Sequence, residues 1–206
     1  MIRNLVFDIG LVLADFPYRE AVASLTDDAA IQEKIIAATT EGKYWDELDR
    51  GIMTMQEVVD AMVSLSPENG ELIRKFTYET IVDHMYPFDY SEGWLKGWHD
   101  AGYGVYILSN MSDHIYNANT DRFTFLRHVD GQTVSYRHKV MKPDPRIYNI
   151  LCETYSLRPE ECVFIDDRQK NIDAAAALGF ATVRFVSYDD AQSKLKKLIS
   201  GRSALS

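Results

Sequence analysis

Five short apolar runs, separated by polar and helical stretches, constrain the fold of this chain more than any other feature of its sequence. The runs are residues 2–7, 105–108, 133–136, 162–165 and 181–186. Helical patterns cover residues 92–101, 145–155 and 171–178, before or between the later runs. Runs of this kind are typical of buried strands, and strands that alternate with helices form a parallel sheet with right-handed crossovers. The sequence therefore predicts an α/β fold built on a parallel sheet.

The long segment between the first two runs has a different, helical pattern. Its apolar residues recur at intervals of three and four, as on the buried face of a helix. Thr54 followed by Glu57 forms a capping box that begins one of these helices. We therefore predict an all-helical insertion over residues 17–86, with residues 1–16 and 87–206 forming the core domain.

The composition excludes several classes of partner. Of the 206 residues, 46% are hydrophobic and 26% are charged, which is enough for an ordinary hydrophobic core. Since 22 Lys and Arg stand against 31 Asp and Glu, the net charge is −9, and no basic surplus exists for nucleic acid or an anionic membrane. No stretch approaches the ~18 continuous apolar residues of a membrane span. The sequence leaves the oligomeric state open.

The termini and cysteines add two expectations. Cys152 and Cys162 occur without a recognisable secretory signal, so we expect a cytoplasmic protein in which both are buried thiols. Residues 200–206 are predicted to lack regular structure.

Polar side chains follow four of the strand-like segments, at the point where each ends. They are Asp8, Ser109 with Asn110, Lys142, and Asp166 with Asp167. Open parallel sheets bind ligands in the crevice at this edge. A carboxylate, a hydroxyl and amide pair, a lysine and an acidic pair are the groups needed for phosphoryl transfer to an aspartate.

The same segments resemble the four ordered motifs of the haloacid dehalogenase-like hydrolase superfamily. They are residues 6–13, 107–110, 141–145, and 164–167 with Asn171. The chain is most similar to the helical-cap branch that includes α-glucose-1-phosphate phosphatases and the N-terminal phosphatase domain of soluble epoxide hydrolase. The resemblance implies a Rossmann-like core, a helical cap over the active site, Mg²⁺ and an aspartyl-phosphate intermediate.

The resemblance also implies roles for the residues that bind and attack the phosphoryl group. Asp8 corresponds to the nucleophile, and Lys142 pairs with both Asp8 and the phosphoryl group. Ser109 and Asn110 correspond to the residues that bind phosphate.

Four oxygen donors are implied as the metal site. Asp8 and the backbone carbonyl of Gly10 are two of the Mg²⁺ ligands, and Asp167, four residues before an asparagine, is the third with help from Asp166. Because the last two are adjacent, the main ligand of the pair stays open.

One position departs from the family pattern. Most phosphatases of this superfamily carry a second aspartate two residues after the nucleophile, and this chain has Gly10 there. General acid–base catalysis is worth about 10²–10⁴-fold, so its loss predicts a preference for phosphates whose leaving group departs easily. Asp15 is a possible source of a proton through water.

The resemblance leads us to expect a Mg²⁺-dependent phosphatase that hydrolyses a small, sugar phosphate-like metabolite. Two alternatives stay open. One is a 2-haloacid dehalogenase, against which the pair Asp166 and Asp167 argues because halide displacement needs no metal-binding carboxylates. The other is a regulator that binds phosphate without turnover.

Overall fold

The centre of the protein is a five-stranded parallel sheet. The structure is a computed structural model that describes residues 1–203, with side chains described to residue 200. The strands are β1 (Asn4–Phe7), β2 (Gly104–Ser109), β3 (Gly131–Val134), β4 (Cys162–Asp166) and β5 (Ala181–Arg184). Their order is β3-β2-β1-β4-β5, and every neighbouring pair is parallel.

This strand order is that of a doubly wound sheet. The chain moves from β1 to β2 and β3 on one side, then crosses to β4 and β5 on the other. Phe7, the last residue of β1, pairs with Ile107 of β2 and with Ile165 of β4, so the carboxyl ends of the three central strands lie within two residues of one another. The predicted α/β fold with a Rossmann-like core is confirmed, and the crossover at β1 creates a crevice at the carboxyl edge.

Helices occupy the segment between β1 and β2, as its periodicity predicts. They are α1 (Tyr18–Ala23), α2 (Ala29–Ala38), α3 (Lys43–Arg50), α4 (Met55–Leu65), α5 (Gly70–Lys75) and α6 (Ile81–Asp83), with a π-helical turn at Phe76–Thr80. The predicted capping box is present, since the Thr54 and Glu57 side chains each accept from the other's backbone N–H. The division of the chain into a core and a cap at residues 17–86 stays a prediction.

The remaining helices cover the two faces of the sheet. They are α7 (Ser91–Asp100), α8 (Asp113–Asn119), α9 (Ser135–His138), α10 (Pro145–Tyr155), α11 (Gln169–Ala177) and α12 (Tyr188–Ser203). Successive strand side chains point to opposite faces. Leu5 and Phe7 therefore join one buried cluster, while Val6 joins a second with Leu108 and Phe164. Burial on both faces explains why the strands are continuous apolar runs.

The chain enters and leaves the helical insertion through two segments that lie side by side. The backbone N–H of Asp15 donates to the carbonyl of Tyr86 over 2.9 Å, and that of Phe88 donates to Leu13 over 3.0 Å. The Ser91 hydroxyl also donates to the Leu13 carbonyl over 2.7 Å. These bonds join the two connections into one narrow stem beside the carboxyl edge of β1.

The predicted third strand is displaced in the structure. The apolar run at 133–136 predicts strand throughout, but β3 ends at Val134, and Ser135 and Tyr136 begin α9. The Ser135 hydroxyl accepts from the Met111 N–H and donates to the Asp49 carbonyl. The chain leaves the sheet at this serine, whose side chain is held by these two hydrogen bonds.

The prediction that the C-terminal tail lacks structure is wrong as far as residue 203. Helix α12 continues to Ser203, because Ala191 and Leu195 bury one of its faces and Leu198 and Ile199 extend that face. An amphipathic helix anchored by packing propagates readily. Residues 204–206 lie outside the described residues.

Two further sequence expectations concern cysteines and membranes. Both cysteines are free thiols; Cys162 is buried as predicted, whereas Cys152 is partly exposed. Within residues 1–203, no helix combines the length and the apolar character that crossing a membrane requires.

We predict that Leu5→Ala lowers the free energy of unfolding by about 2–5 kcal/mol, because it leaves a cavity in the central strand. Leu5 is completely buried. Val186→Ala is the control, since Val186 is 72% exposed, and its effect should stay within about 0.5 kcal/mol. Urea unfolding measures both values. Equal losses in the two variants would contradict the assignment of β1 to the core.

Candidate active site

The carboxyl ends of the central strands bring the predicted site residues to one edge of the sheet. Asp8 follows β1, Ser109 ends β2 and Asp166 ends β4. Backbone pairing extends one residue beyond β1, where the Asp8 N–H donates to the Ile165 carbonyl over 3.0 Å. Of the residues predicted from the sequence, all except Ser109 and Asp166 line a single cavity at this edge.

Lys142 is the buried cation of the site. Its side chain is 1% exposed, and its Nζ donates to the Leu108 carbonyl over 2.8 Å and to Asp166 Oδ2 over 2.7 Å. The same Nζ lies 2.9 Å from Asp8 Oδ1. All three ammonium protons therefore have an oxygen partner, as a buried lysine requires.

The side chain of Asn110 fixes the backbone that carries this lysine. Asn110 Nδ2 donates to the Lys142 carbonyl over 2.9 Å, and Asn110 Oδ1 accepts from the Lys142 N–H over 2.8 Å. Asn110 thus positions Lys142, a role that the sequence did not indicate, in addition to facing the cavity.

Charges within the cluster shift the pKa values of its members. Burial lowers the pKa of Lys142, but the carboxylates of Asp166 and Asp8 raise it more, so the lysine stays charged. Burial opposes the ionisation of Asp166 too, yet Lys142, the Arg168 N–H and the Asn171 amide together lower its pKa. Burial raises the pKa of Asp8 to about 7, because Lys142 compensates only in part. The site is therefore built around one firmly held ion pair, between Lys142 and Asp166.

Three carboxylates stand close enough to share one cation. Asp8, Asp166 and Asp167 each offer an oxygen, and these oxygens lie within 4.8 Å of one another. Asp166 is fully buried, with Oδ2 bound to Lys142 and both oxygens accepting from Asn171 Nδ2 over 3.0 Å. Asp167 is half-buried and lines the cavity. The two adjacent aspartates are thus distinguished by their surroundings.

Ser109 is present at the edge but lies behind the cavity lining. Its side chain is completely buried, and its hydroxyl has no hydrogen-bond partner among the described residues. A buried hydroxyl without a partner is costly and needs an explanation, such as a ligand that it binds.

The cavity has a volume of about 790 Å³ and lies between the sheet edge and the helical insertion. Its lining on the insertion side, including the entering and leaving segments, is Phe16, Tyr18, Thr40, Glu41, Gly42, Lys43, Trp45, Asp46, Asp49 and Met85. Helix α3 contributes four of these, Lys43, Trp45, Asp46 and Asp49. Because most of these groups are polar or charged, the cavity suits a small, hydrophilic ligand.

Asp49 is a site residue that the sequence analysis missed. It lies in the last turn of α3, is 9% exposed and borders the cavity. Burial and the nearby Asp46 raise its pKa to about 7, an effect that Ser112 N–H and Arg168 offset only in part. Its signal in the sequence was its spacing, three residues after Asp46, so that both lie on one face of the helix.

Gly10 and Asp15 differ in their position relative to the cavity. Gly10 lines the cavity, and a Cβ added there would meet nothing within 4 Å. Asp15 is not part of the cavity lining, and its Oδ1 instead accepts from the Phe16 N–H over 2.8 Å. Asp15 is therefore poorly placed to supply a proton.

A dehalogenase and a phosphatase are among the curated proteins that the chain matches. It is 36% identical over 84 residues to (S)-2-haloacid dehalogenase 4A of Burkholderia cepacia, covering 41% of this chain and 36% of the dehalogenase. It is 28% identical over 199 residues to D-ribitol-5-phosphate phosphatase of Bacteroides thetaiotaomicron, covering 88% of this chain and 91% of the phosphatase. The chain thus matches about a third of the dehalogenase but nearly the whole phosphatase.

Solved structures agree with the fold. A haloacid dehalogenase family enzyme of Bacteroides thetaiotaomicron, in complex with magnesium and inorganic phosphate, superposes with a TM-score of 0.72 at 23% identity. The match covers 92% of this chain and 97% of that enzyme. A family model described as haloacid dehalogenase-like hydrolase matches residues 3–179. With the ordered motifs and the strand-end site, this match shows that the chain belongs to the haloacid dehalogenase-like hydrolase family.

Proposed function

We propose that this hydrolase is a Mg²⁺-dependent phosphatase that acts on a small, sugar phosphate-like metabolite through an aspartyl-phosphate on Asp8. One observation carries the proposal: a strand-end carboxylate lies 2.9 Å from a buried ammonium and within 4.8 Å of two further carboxylates, facing a cavity with several charged lining residues. Attack by a carboxylate on phosphorus needs both a positive charge to hold the phosphoryl oxygens and a hard cation.

The donor set fits Mg²⁺, which prefers oxygen ligands and takes one or two carboxylates. Both Asp166 oxygens are bound by Lys142 or Asn171, and Asp166 does not line the cavity. Asp8 and Asp167 do line it, so they are the carboxylates that would bind the ion. The backbone carbonyl of Gly10 is the third protein ligand in this proposal. When bound, Mg²⁺ supplies positive charge that favours the ionised form of Asp8 and lowers its repulsion of the phosphate.

The protein residues then divide the work. Asp8 attacks phosphorus, while the Lys142 ammonium holds Asp8 in place and neutralises a phosphoryl oxygen. Ser109, whose buried hydroxyl has no partner in the described part of the chain, and Asn110 bind the remaining oxygens. Asp166 keeps Lys142 charged and oriented.

The cavity and the relatives support a small phosphorylated substrate. A volume of about 790 Å³ lies within the range of small-molecule sites, and the charged lining suits a hydroxylated molecule. The ribitol phosphate phosphatase matches this chain nearly end to end. The related structure with magnesium and inorganic phosphate supports the same ligands here.

A dehalogenase is the second candidate, favoured by the match to the Burkholderia cepacia enzyme. The third carboxylate argues against it, because displacement of halide by Asp8 gives no role to Asp167 at the cavity wall. A regulator that binds phosphate without turnover uses the same site and differs only in rate. The effect of a metal chelator and the identity of the released product distinguish these three candidate functions.

We predict that Asp8→Asn and, separately, EDTA each reduce the release of inorganic phosphate from 4-nitrophenyl phosphate and sugar phosphates by at least about a thousandfold. Asp173→Asn, an exposed aspartate on α11, is the control and should retain activity. Halide release from a 2-haloacid that resists EDTA would favour the dehalogenase instead. Tight binding of phosphate with no turnover would favour the regulator.

Substitution of each of the two adjacent aspartates, Asp166 and Asp167, is expected to have a different effect. Asp167→Asn should raise the Mg²⁺ concentration for half-maximal activity about tenfold or more and leave folding stability unchanged, because Asp167 holds no buried ion pair. Asp166→Asn should lower the free energy of unfolding by roughly 1–3 kcal/mol, because it weakens the partner of the buried Lys142. Mg²⁺ titration and urea unfolding without metal measure the two effects. The reverse pattern would make Asp166 the metal ligand.

A further inference from the structure

The proposed phosphatase still lacks a group that gives a proton to the leaving alcohol. Gly10 has no side chain, and Asp15 lies outside the cavity lining. The carboxyl groups that do line the cavity are Asp8, Glu41, Asp46, Asp49 and Asp167. The nucleophile and the metal ligand account for the first and the last of these.

The other three carboxyl groups differ in their surroundings. Glu41 and Asp46 are exposed to solvent, and Glu41 is paired with Arg19 at the surface over 2.8 Å. Asp49 is 9% exposed and is the buried member that has no role yet. A buried carboxyl that is protonated near neutral pH can donate a hydrogen bond and then the proton itself.

Asp49 is held against the phosphate side of the site. The Ser135 hydroxyl donates to the Asp49 carbonyl over 2.5 Å and accepts from the Met111 N–H over 3.0 Å. Met111 directly follows Asn110, so one serine ties the end of α3 to the loop after β2. Lys139 Nζ adds a bond to the Gly51 carbonyl over 2.5 Å.

We propose that Asp49 is the general acid and base that replaces the side chain missing at position 10. This inference rests on the proposed phosphatase function. In the first step an Asp8 oxygen bonds to phosphorus, the bond from phosphorus to the ester oxygen breaks, and the Asp49 proton passes to that oxygen, releasing the alcohol. In the second step Asp49 takes a proton from water as the water oxygen bonds to phosphorus. The bond from phosphorus to Asp8 then breaks, releasing phosphate and restoring both carboxyls.

The charges around Asp49 agree with a carboxyl group that can both give and take a proton. Burial and the Asp46 carboxylate on its own helix raise the Asp49 pKa to about 7, and Asp8 on the facing strand end adds to the effect. The Ser112 N–H, before α8, and Arg168, before α11, act in the opposite direction. The carbonyl end of α3 also disfavours negative charge in its last turn.

The leaving group distinguishes an acid from a binding residue. A primary alkyl phosphate such as glucose 6-phosphate needs a proton on its departing oxygen, whereas 4-nitrophenolate departs without one. Asp49→Asn keeps the size of the side chain, but the amide can neither give nor take the proton. In single-turnover experiments with Mg²⁺, this variant should release alcohol from sugar phosphates about 10²–10³-fold more slowly. Its release of 4-nitrophenol should stay within about threefold of the wild type.

Later turnovers give a second signature. Because Asp49 also activates the attacking water, steady-state hydrolysis of 4-nitrophenyl phosphate by Asp49→Asn should slow after a burst of about one 4-nitrophenol per protein. Glu47→Gln is the matched control, since Glu47 lies on the same helix, pairs with Arg50 and does not line the cavity. It should behave as the wild type with both esters.

Each contrary outcome has one meaning. Equal slowing of both esters in the first turnover, or a change in KM alone, makes Asp49 a binding residue and overturns this proposal. A wild type that hydrolyses sugar phosphates while Asp49→Asn is unimpaired overturns it too and leaves the phosphatase intact. A wild type that releases alcohol from neither ester class overturns the phosphatase and this proposal together.

Folding stability gives a readout that does not depend on activity. A carboxyl whose pKa is raised by folding costs stability as pH rises from its unfolded pKa, near 4, to its folded value. Asp49→Asn removes that cost, so its urea midpoint should exceed that of the wild type at pH 8 and nearly match it at pH 4. An equal difference at both pH values shows that folding does not raise the pKa of Asp49 and overturns the proposal.

Discussion

The buried ammonium of Lys142 is the interaction on which the rest of the site depends. A lone charge at 1% exposure would be prohibitively costly, so the fold surrounds it with the Leu108 carbonyl, Asp166 and Asp8. These partners come from the ends of three adjacent strands, β2, β4 and β1. The ion cluster therefore stabilises the sheet edge and holds the Asp8 carboxylate in place at the same time.

The helical insertion borders the cavity at this edge of the sheet. Its entering and leaving segments run side by side, joined by backbone bonds between Asp15 and Tyr86 and between Leu13 and Phe88. A second, separate attachment lies at the end of α3, where Ser135 and Lys139 bind the carbonyls of Asp49 and Gly51. Gly51 adopts φ +68°, a left-handed conformation that ends α3 and exposes these carbonyls. The insertion is thus attached to the rest of the protein at its stem and at the end of α3.

In our proposal the proton donor lies on α3 of the insertion and not at position 10, beside Asp8. Because residue 10 is glycine, no acidic side chain stands two residues after Asp8, and a Cβ added at this position would meet nothing within 4 Å. Asp49 lines the same cavity from the insertion. With Asp49 as the acid, the preference for easily departing leaving groups that Gly10 alone predicts would weaken.

The sequence by itself determined the sheet, the helical insertion and most of the polar residues that gather at the candidate site. Strand-like runs buried on both faces and polar residues at their ends are local patterns, so Asp8, Asn110, Lys142 and Asp167 could be chosen without coordinates. Tertiary structure decided what local patterns do not encode. It decided that Asp166 is bound to Lys142 while Asp167 faces the cavity, since adjacent residues of a strand end point in different directions. It also brought Asp49 into the site, because the docking of α3 on α9 joins residues 86 positions apart in the chain.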